Sequence, residues 1–175
     1  KTAVALTGMY MAVKSGYQSA MLAPTEVLAR QNFALIQKYF PEYNCALLVG
    51  STPAAEKRAI KSSLKKGEIQ IVCGTHAVIQ KDVAFKNLAF VVCDEQQRFG
   101  VAQRASLAEK GAGCDVLIMS ATPIPRTLSL IFYGDLDITT IKDKPAARQE
   151  ITTAIIPHSK YADMLGYIAA QAREG

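Results

Sequence analysis

The sequence has 175 residues, half of them apolar and a fifth charged, with a formal net charge of +5. That composition excludes a disordered chain and leaves room for one full domain with part of a second. The modest positive excess suits a phosphate-rich partner without requiring one, and no apolar stretch reaches the roughly 20 residues of a membrane-spanning helix. The four cysteines, Cys45, Cys73, Cys93 and Cys114, form no C-x-x-C pair. They argue against a zinc site and for reduced thiols in or beside apolar runs, as in a reducing cytoplasm. A chain that starts at Lys1 and ends at Gly175 inside a helical pattern, with no secretory leader, reads as a piece of something longer.

In chain order, Lys1-Thr2 opens a helical segment, and a short apolar run over 18–23 reads as the first strand. Residues 25–39 place Val27, Leu28, Ala34, Leu35 and Ile36 at helical spacing. A strand over 45–49 comes next. Thr52 then reads as an N-cap with Pro53 at the first helical position, opening a helix over 54–66 that Gly67 stops. Further apolar runs over 69–73, 88–93 and 116–119 read as strands. Such alternation, with nearly continuous apolar strands, predicts an α/β fold: a mainly parallel sheet covered by helices on both faces. The texture changes at Lys142-Asp143-Lys144-Pro145-Ala146-Ala147-Arg148, a polar, proline-marked stretch. A strand over 151–156 and a helix over 160–173 are expected after it, dividing the chain into 1–144, a linker over 145–150 and the start of a second unit over 151–175. There is no short-period repeat.

Ligands of parallel sheets bind at the carboxyl ends of the strands, so the residues just past each predicted strand are informative. In chain order they are Ala23-Pro24-Thr25-Glu26, Gly50-Ser51-Thr52, Gly74-Thr75-His76, Asp94-Glu95-Gln96-Gln97 and Ser120-Ala121-Thr122-Pro123. Glycines, hydroxyls and acids on five consecutive strand ends suggest a site along one rim.

Each motif has an ordinary explanation when read alone. Lys1-Thr2 is a common pair, although a phosphate-binding loop ends in Gly-Lys-Thr/Ser, with the lysine on the phosphates and the hydroxyl on Mg²⁺. Asp94-Glu95 can be a strand leaving the core through a charged turn. It is also where a nucleotide hydrolase of this architecture holds Mg²⁺, with the next glutamate as general base for the attacking water. Ser120-Ala121-Thr122 can cap the next helix. Thr25, Gly50, Gly74 and Thr75 are each explained by turns or caps, or together by hydrogen bonds to the phosphates of a nucleic-acid strand across the rim. His76 and His158 lack metal-like spacing, Phe33, Tyr39, Phe40 and Tyr43 read as packing, and Lys57, Arg58, Lys61, Lys65 and Lys66 read as a solvated basic helix face. The combination of Lys1-Thr2 with Asp94-Glu95 and Ser120-Ala121-Thr122 favours the chemical reading.

Taken together, these pieces resemble the first motor domain of a superfamily 2 helicase over essentially the whole chain. Lys1-Thr2 is similar to the tail of motif I and Ala23-Pro24-Thr25-Glu26-Val27-Leu28-Ala29 to motif Ia. Gly74-Thr75-His76 is similar to motif Ib, residues 94–97 to motif II and Ser120-Ala121-Thr122 to motif III. The stretches DEQQRFGVAQR over 94–104, SATPIPRTL over 120–128 and YGDLD over 133–137, with the linker Pro145…Arg148…Ile151…Thr153, resemble the RecG-type branched-DNA helicases.

The resemblance implies a RecA-like P-loop fold, ATP and Mg²⁺ as cofactors, and an ATP-driven translocase on double-stranded DNA that remodels stalled forks and Holliday junctions. It implies nucleotide contacts from Lys1, Thr2 and Asp94, Mg²⁺ ligation by Thr2 and Asp94, and catalysis by Glu95 with Asp94. Thr25, Gly50, Gly74 and Thr75 would touch DNA, and Gln97, Arg98, Ser120 and Thr122 would couple the two sites. The wedge domain and second motor domain of such a protein would be its partners within the full-length chain. The segment 1–175 alone is expected to hydrolyse ATP negligibly. One departure stands out: RecG-type sequences usually carry histidine where this chain has Gln97, which keeps a donor and an acceptor but cannot take up a charge. Two other readings stay open, a transcription-repair coupling motor, which shares the RFGV and TPIPRTL stretches, and a non-catalytic α/β interaction domain.

Overall fold

The computed structural model describes residues 1–94, 113–120, 137–141, 153 and 155–174. By internal contacts the chain divides into two compact units, Lys1–Pro125 and Arg126–Gly175.

The first unit holds a five-stranded sheet. Its strands are β1 (Gln18–Leu22), β2 (Cys45–Leu48), β3 (Ile71–Gly74), β4 (Leu88–Cys93) and β5 (Asp115–Ile118). They lie in the order β2-β3-β1-β4-β5, and every pairing is parallel. The helices α1 (Thr2–Lys14), α2 (Glu26–Tyr39) and α3 (Ala54–Lys66) connect or precede them. Alternate side chains of each strand enter two separate cores, because successive Cβ atoms point to opposite faces. Ala20, Leu22, Val72, Val91 and Cys93 pack on one face with Ile60 and Leu64 of α3 and with Ala77, Val78 and Ile79 of the short 3₁₀ turn His76–Ile79. Met21, Ile71, Cys73 and Val92 pack on the other with Ala5, Met9 and Val13 of α1 and Ala29 and Ile36 of α2. Burial on both faces is why β3 and β4 read as nearly continuous apolar runs. The expected α/β architecture, a parallel sheet with helices on both faces, is the one observed.

The strand expected over 88–93 coincides with β4, and the other four differ by one or two residues at an end. The helix over 54–66 also coincides with α3. Gly67 closes it in the left-handed conformation at φ 79°, so that its N–H reaches Leu64 O and the Glu68 N–H reaches Ser63 O. The expected cap of that helix is corrected. Pro53 itself occupies the N-cap position, and the Thr52 hydroxyl turns back to accept from Val49 N–H at 3.1 Å, closing the turn after β2.

At the amino ends of the strands, buried Gln18 replaces the missing side of the core. Its Nε2 donates to Leu64 O at 2.9 Å and Ile69 O at 2.7 Å, and its Oε1 accepts from Lys86 N–H at 2.8 Å and Asn87 N–H at 3.1 Å. One amide thereby satisfies four backbone groups, from the last turn of α3 and the loops before β3 and β4, as burial requires.

In the second unit the helix runs over Tyr161–Glu174 after a 3₁₀ turn at His158–Lys160, close to the expected 160–173. Thr153, Ile155 and Ile156 are not in strand conformation, so the strand expected over 151–156 does not include them. Its remaining residues, like the linker over 145–150, lie outside the described residues.

Candidate functional site

Just past the sheet, one more backbone bond joins each of the four neighbouring pairs of strand ends. Thr75 N–H donates to Leu48 O (3.3 Å), Ala23 N–H to Gly74 O (2.9 Å), Asp94 N–H to Leu22 O (2.9 Å) and Met119 N–H to Cys93 O (2.8 Å). These bonds line up the ends of the expected motifs in spatial order: Gly50, Thr75, Pro24, Asp94 and Ser120. With neighbouring strands about 4.8 Å apart, the row spans about 19 Å. The motifs are scattered in sequence and become neighbours only because the strand order differs from chain order.

The amino end of α1 lies at the same rim. The helix packs on β1 and β4, running back against them. Gly8 makes this possible, since a Cβ there would stand 2.6 Å from the Phe90 ring. Lys1 is the N-cap, Thr2 the first helical residue, and the Lys1 ammonium donates to the Ser120 carbonyl. Lys1, expected at the nucleotide, and Ser120, expected to couple the two sites, are thus brought together.

Asp94 is half-buried one residue beyond β4. The strand alternation turns its side chain toward the α1/α2 face, where Asn32 Nδ2 of α2 donates to Asp94 Oδ2 at 3.4 Å. Cys73 lies close to this carboxylate. Burial, with the Asp94 charge second, pushes its thiol up to about 12, so it stays neutral and donates to Ala29 O at 3.3 Å. Burial likewise raises Cys45 to about 11. All four cysteines are free.

The expected DNA-facing residues divide into two kinds. Thr25 and Gly50 are exposed. Thr25 caps α2, accepting from Leu28 N–H at 3.3 Å; this uses an acceptor lone pair and not its own proton. Gly50 comes after β2, and its carbonyl accepts from Lys57 Nζ at 2.7 Å. Gly74 and Thr75 sit deeper. A Cβ on Gly74 would meet Leu48 O at 2.0 Å, so close passage of backbone dictates glycine there. Thr75 is only 3% exposed, and its Oγ1 is a buried hydroxyl oxygen without a hydrogen-bond partner. Glu95, Gln97, Arg98 and Thr122 lie outside the described residues.

Two residues at the rim were not singled out by sequence reasoning. Glu26 grips the turn after β2, accepting from Ser51 N–H at 2.9 Å and from Ser51 Oγ at 2.5 Å. The Ser51 hydroxyl and then its N–H hold the Glu26 carboxyl below the usual carboxylate range, and Arg30 Nη2 donates to the same Ser51 Oγ at 3.4 Å. Asn32 is the other. It is an amide only 5% exposed, at the core-facing position between Ala29 and Ile36. A polar residue on an apolar stripe was the available signal.

The basic face of α3 is largely committed within the fold: Lys61 pairs with Asp82 (2.5 Å), Lys66 with Glu68 (3.7 Å) and Lys57 with the Gly50 carbonyl. Among the described residues no group of three His, Cys, Asp or Glu could hold a metal, and no helix is long and apolar enough to cross a membrane.

Residues 1–131 match the DEAD/DEAH box helicase family model. The chain belongs to the DEAD/DEAH box helicase family. Among its relatives, the ATP-dependent DNA helicase RecG of Streptococcus pneumoniae is 46% identical over 175 residues, all of this chain and 26% of the relative. RecG of Thermotoga maritima is 44% identical over 177 residues, all of this chain and 23% of the relative. The solved structure of RecG bound to a three-way DNA junction superposes with a TM-score of 0.82 at 41% identity, covering 99% of this chain and 24% of that one. The chain therefore spans about a quarter of the length of the relatives it matches. The expected resemblance to RecG-type helicases is borne out, and with it the RecA-like reading of the family fold.

Proposed function

We propose that the full-length protein containing this chain is an ATP-dependent translocase on double-stranded DNA that remodels branched DNA, such as stalled forks and Holliday junctions, in recombination and repair. The observation that carries the reading is the single rim that joins Lys1, Asp94, Ser120 and Thr25, in a chain whose relatives are RecG helicases. Family membership counts against a non-catalytic interaction domain, and the relatives give the transcription-repair coupling alternative no support. A cytoplasmic location goes with this reading.

ATP and Mg²⁺ fit the residues present. The Thr2 hydroxyl and Asp94 carboxylate are hard oxygen donors of the kind Mg²⁺ prefers. Lys1, with the amino end of α1, offers positive charge and unpaired N–H groups to phosphates. Mg²⁺, when bound, neutralises developing charge on the phosphates. Lys1 and Thr2 hold the nucleotide, Asp94 holds the ion with Thr2, and Glu95 takes the proton of the attacking water.

Thr25 and Gly50 face the DNA backbone. A phosphate reaching Gly74-Thr75 would accept from the orphaned Thr75 hydroxyl, offsetting the about 1–3 kcal/mol of an unmet buried polar group. Gln97, Arg98, Ser120 and Thr122 couple this contact to the nucleotide; Ser120, bonded to Lys1, is suited to that role. Backbone contacts carry no base information, so recognition is by the shape of the branch. Residues 1–144 form the first motor domain, 145–150 a linker and 151–175 the start of the second motor domain, which with a wedge domain completes the machine. The test is strand displacement by the full-length protein from a model fork with ATP and Mg²⁺. Displacement that requires both supports the proposal. A fork left intact, or one opened equally well with a non-hydrolysable analogue, contradicts it.

A further inference from the structure

We infer that Asn32 is a positioning residue for the metal-binding carboxylate, acting through Asp94 rather than on nucleotide or DNA. The inference rests on the proposed role of Asp94 in holding Mg²⁺. A buried primary amide brings two donors and an acceptor into a helix face otherwise made of Ala29 and Ile36, and that placement costs stability unless the amide is used. Its side chain is directed to the Oδ2 oxygen of Asp94.

The Cys73 thiol, close to the same carboxylate, donates instead to the Ala29 carbonyl. Among the described residues Asn32 is the side chain that hydrogen-bonds Asp94. A hydrogen bond to one oxygen fixes the rotation of the carboxylate and presents the other oxygen to a cation, which is how outer residues tune metal sites. The bond is long at 3.4 Å, and a cation drawing on Asp94 would raise the value of a fixed partner. Its element adds a consequence. Thr25 caps the same helix seven residues earlier, so about 10 Å of regular α2 connects a DNA-facing hydroxyl to the residue that orients Asp94.

The test uses the full-length protein with two variants. Asn32→Leu keeps the branching at Cγ and removes the donor, and Asn32→Ser keeps polarity with a side chain too short to reach. Binding of Mn²⁺, a stand-in for Mg²⁺, is followed by electron paramagnetic resonance in the presence of ADP. The Mg²⁺ concentration for half-maximal DNA-stimulated ATPase is measured in parallel, with thermal melting to select folded variants. The expected result is roughly tenfold weaker Mn²⁺ binding and a matching rise in the Mg²⁺ requirement, with ADP affinity in the absence of divalent ion unchanged. A folded variant whose Mn²⁺ affinity stays within twofold of the parent overturns the inference. So does loss of metal-free ADP binding in step with Mn²⁺ binding, which would mark a general distortion. If neither variant folds, Asn32 is a core residue and the inference is rejected. A parent protein without Mg²⁺-dependent, DNA-stimulated turnover would instead refute the helicase reading on which the inference stands.

Discussion

At the scale of single residues, what a side chain does at the rim depends on which of its atoms the fold has already used. Thr25 spends an acceptor on its helix and keeps a proton, whereas Thr75 has its hydroxyl buried and unmet. Glu26 is committed to Ser51 through both carboxylate oxygens. Its carboxyl is held low, so its contribution to stability is fully present above the ordinary carboxylate range and fades as pH falls through the depressed native value. Urea midpoints of parent and Glu26→Gln should therefore differ at neutral pH and converge as pH falls below the ordinary carboxylate range; a gap constant with pH would refute this account. Glu95, directly after Asp94, is the residue we propose as general base. Glu95→Gln in the full-length protein should bind ATP as the parent does while losing about 10²–10⁴-fold in DNA-stimulated turnover. Undiminished turnover would remove Glu95 from that role. Asp94 was legible from its place at the end of an apolar run. Asn32 and Gln18 were not, because a lone amide gives no sign of whether it faces water or four backbone partners.

Elements were legible where burial is two-sided. β1, β3 and β4 lie inside the sheet, and their ends were found to within two residues, from apolar runs in β3 and β4 and from the apolar second half of β1. β5 is an edge strand with Asp115 and Val116 exposed, which blurred its start. The cap of α3 was misread because Thr52-Pro53 offers a hydroxyl to either side; the turn after β2 took it. Close approach of two strands also fixes residues that propensity cannot explain. Gly74→Ala places a Cβ 2.0 Å from the Leu48 carbonyl and 2.7 Å from Val78 Cγ2. It should cost about 3 kcal/mol in a urea titration. Gly166→Ala, with nothing within 4 Å in an exposed helix, should be neutral or stabilising by up to about 1 kcal/mol. Equal effects of the two substitutions would contradict the packing of β3 against β2.

At the scale of the molecule, the site exists because strand order is not chain order. Placing β1 between β3 and β4 sets Thr25 beside Asp94 and Gly74, although Asp94 lies 69 positions after Thr25 in the chain. Five strand ends of similar chemistry were legible one by one, and the register bonds past the sheet put them in one row. Their neighbours were not legible, because parallel pairing is non-local and leaves no local mark on the chain. The central claim is that this rim belongs to a motor driven by ATP and directed by DNA shape. The most direct measurement is the steady-state ATPase of the full-length protein with a four-way junction, a fork and a linear duplex of equal nucleotide content. The account predicts strong Mg²⁺-dependent stimulation by the junction and the fork and weak stimulation by the linear duplex. Equal stimulation by all three would contradict it.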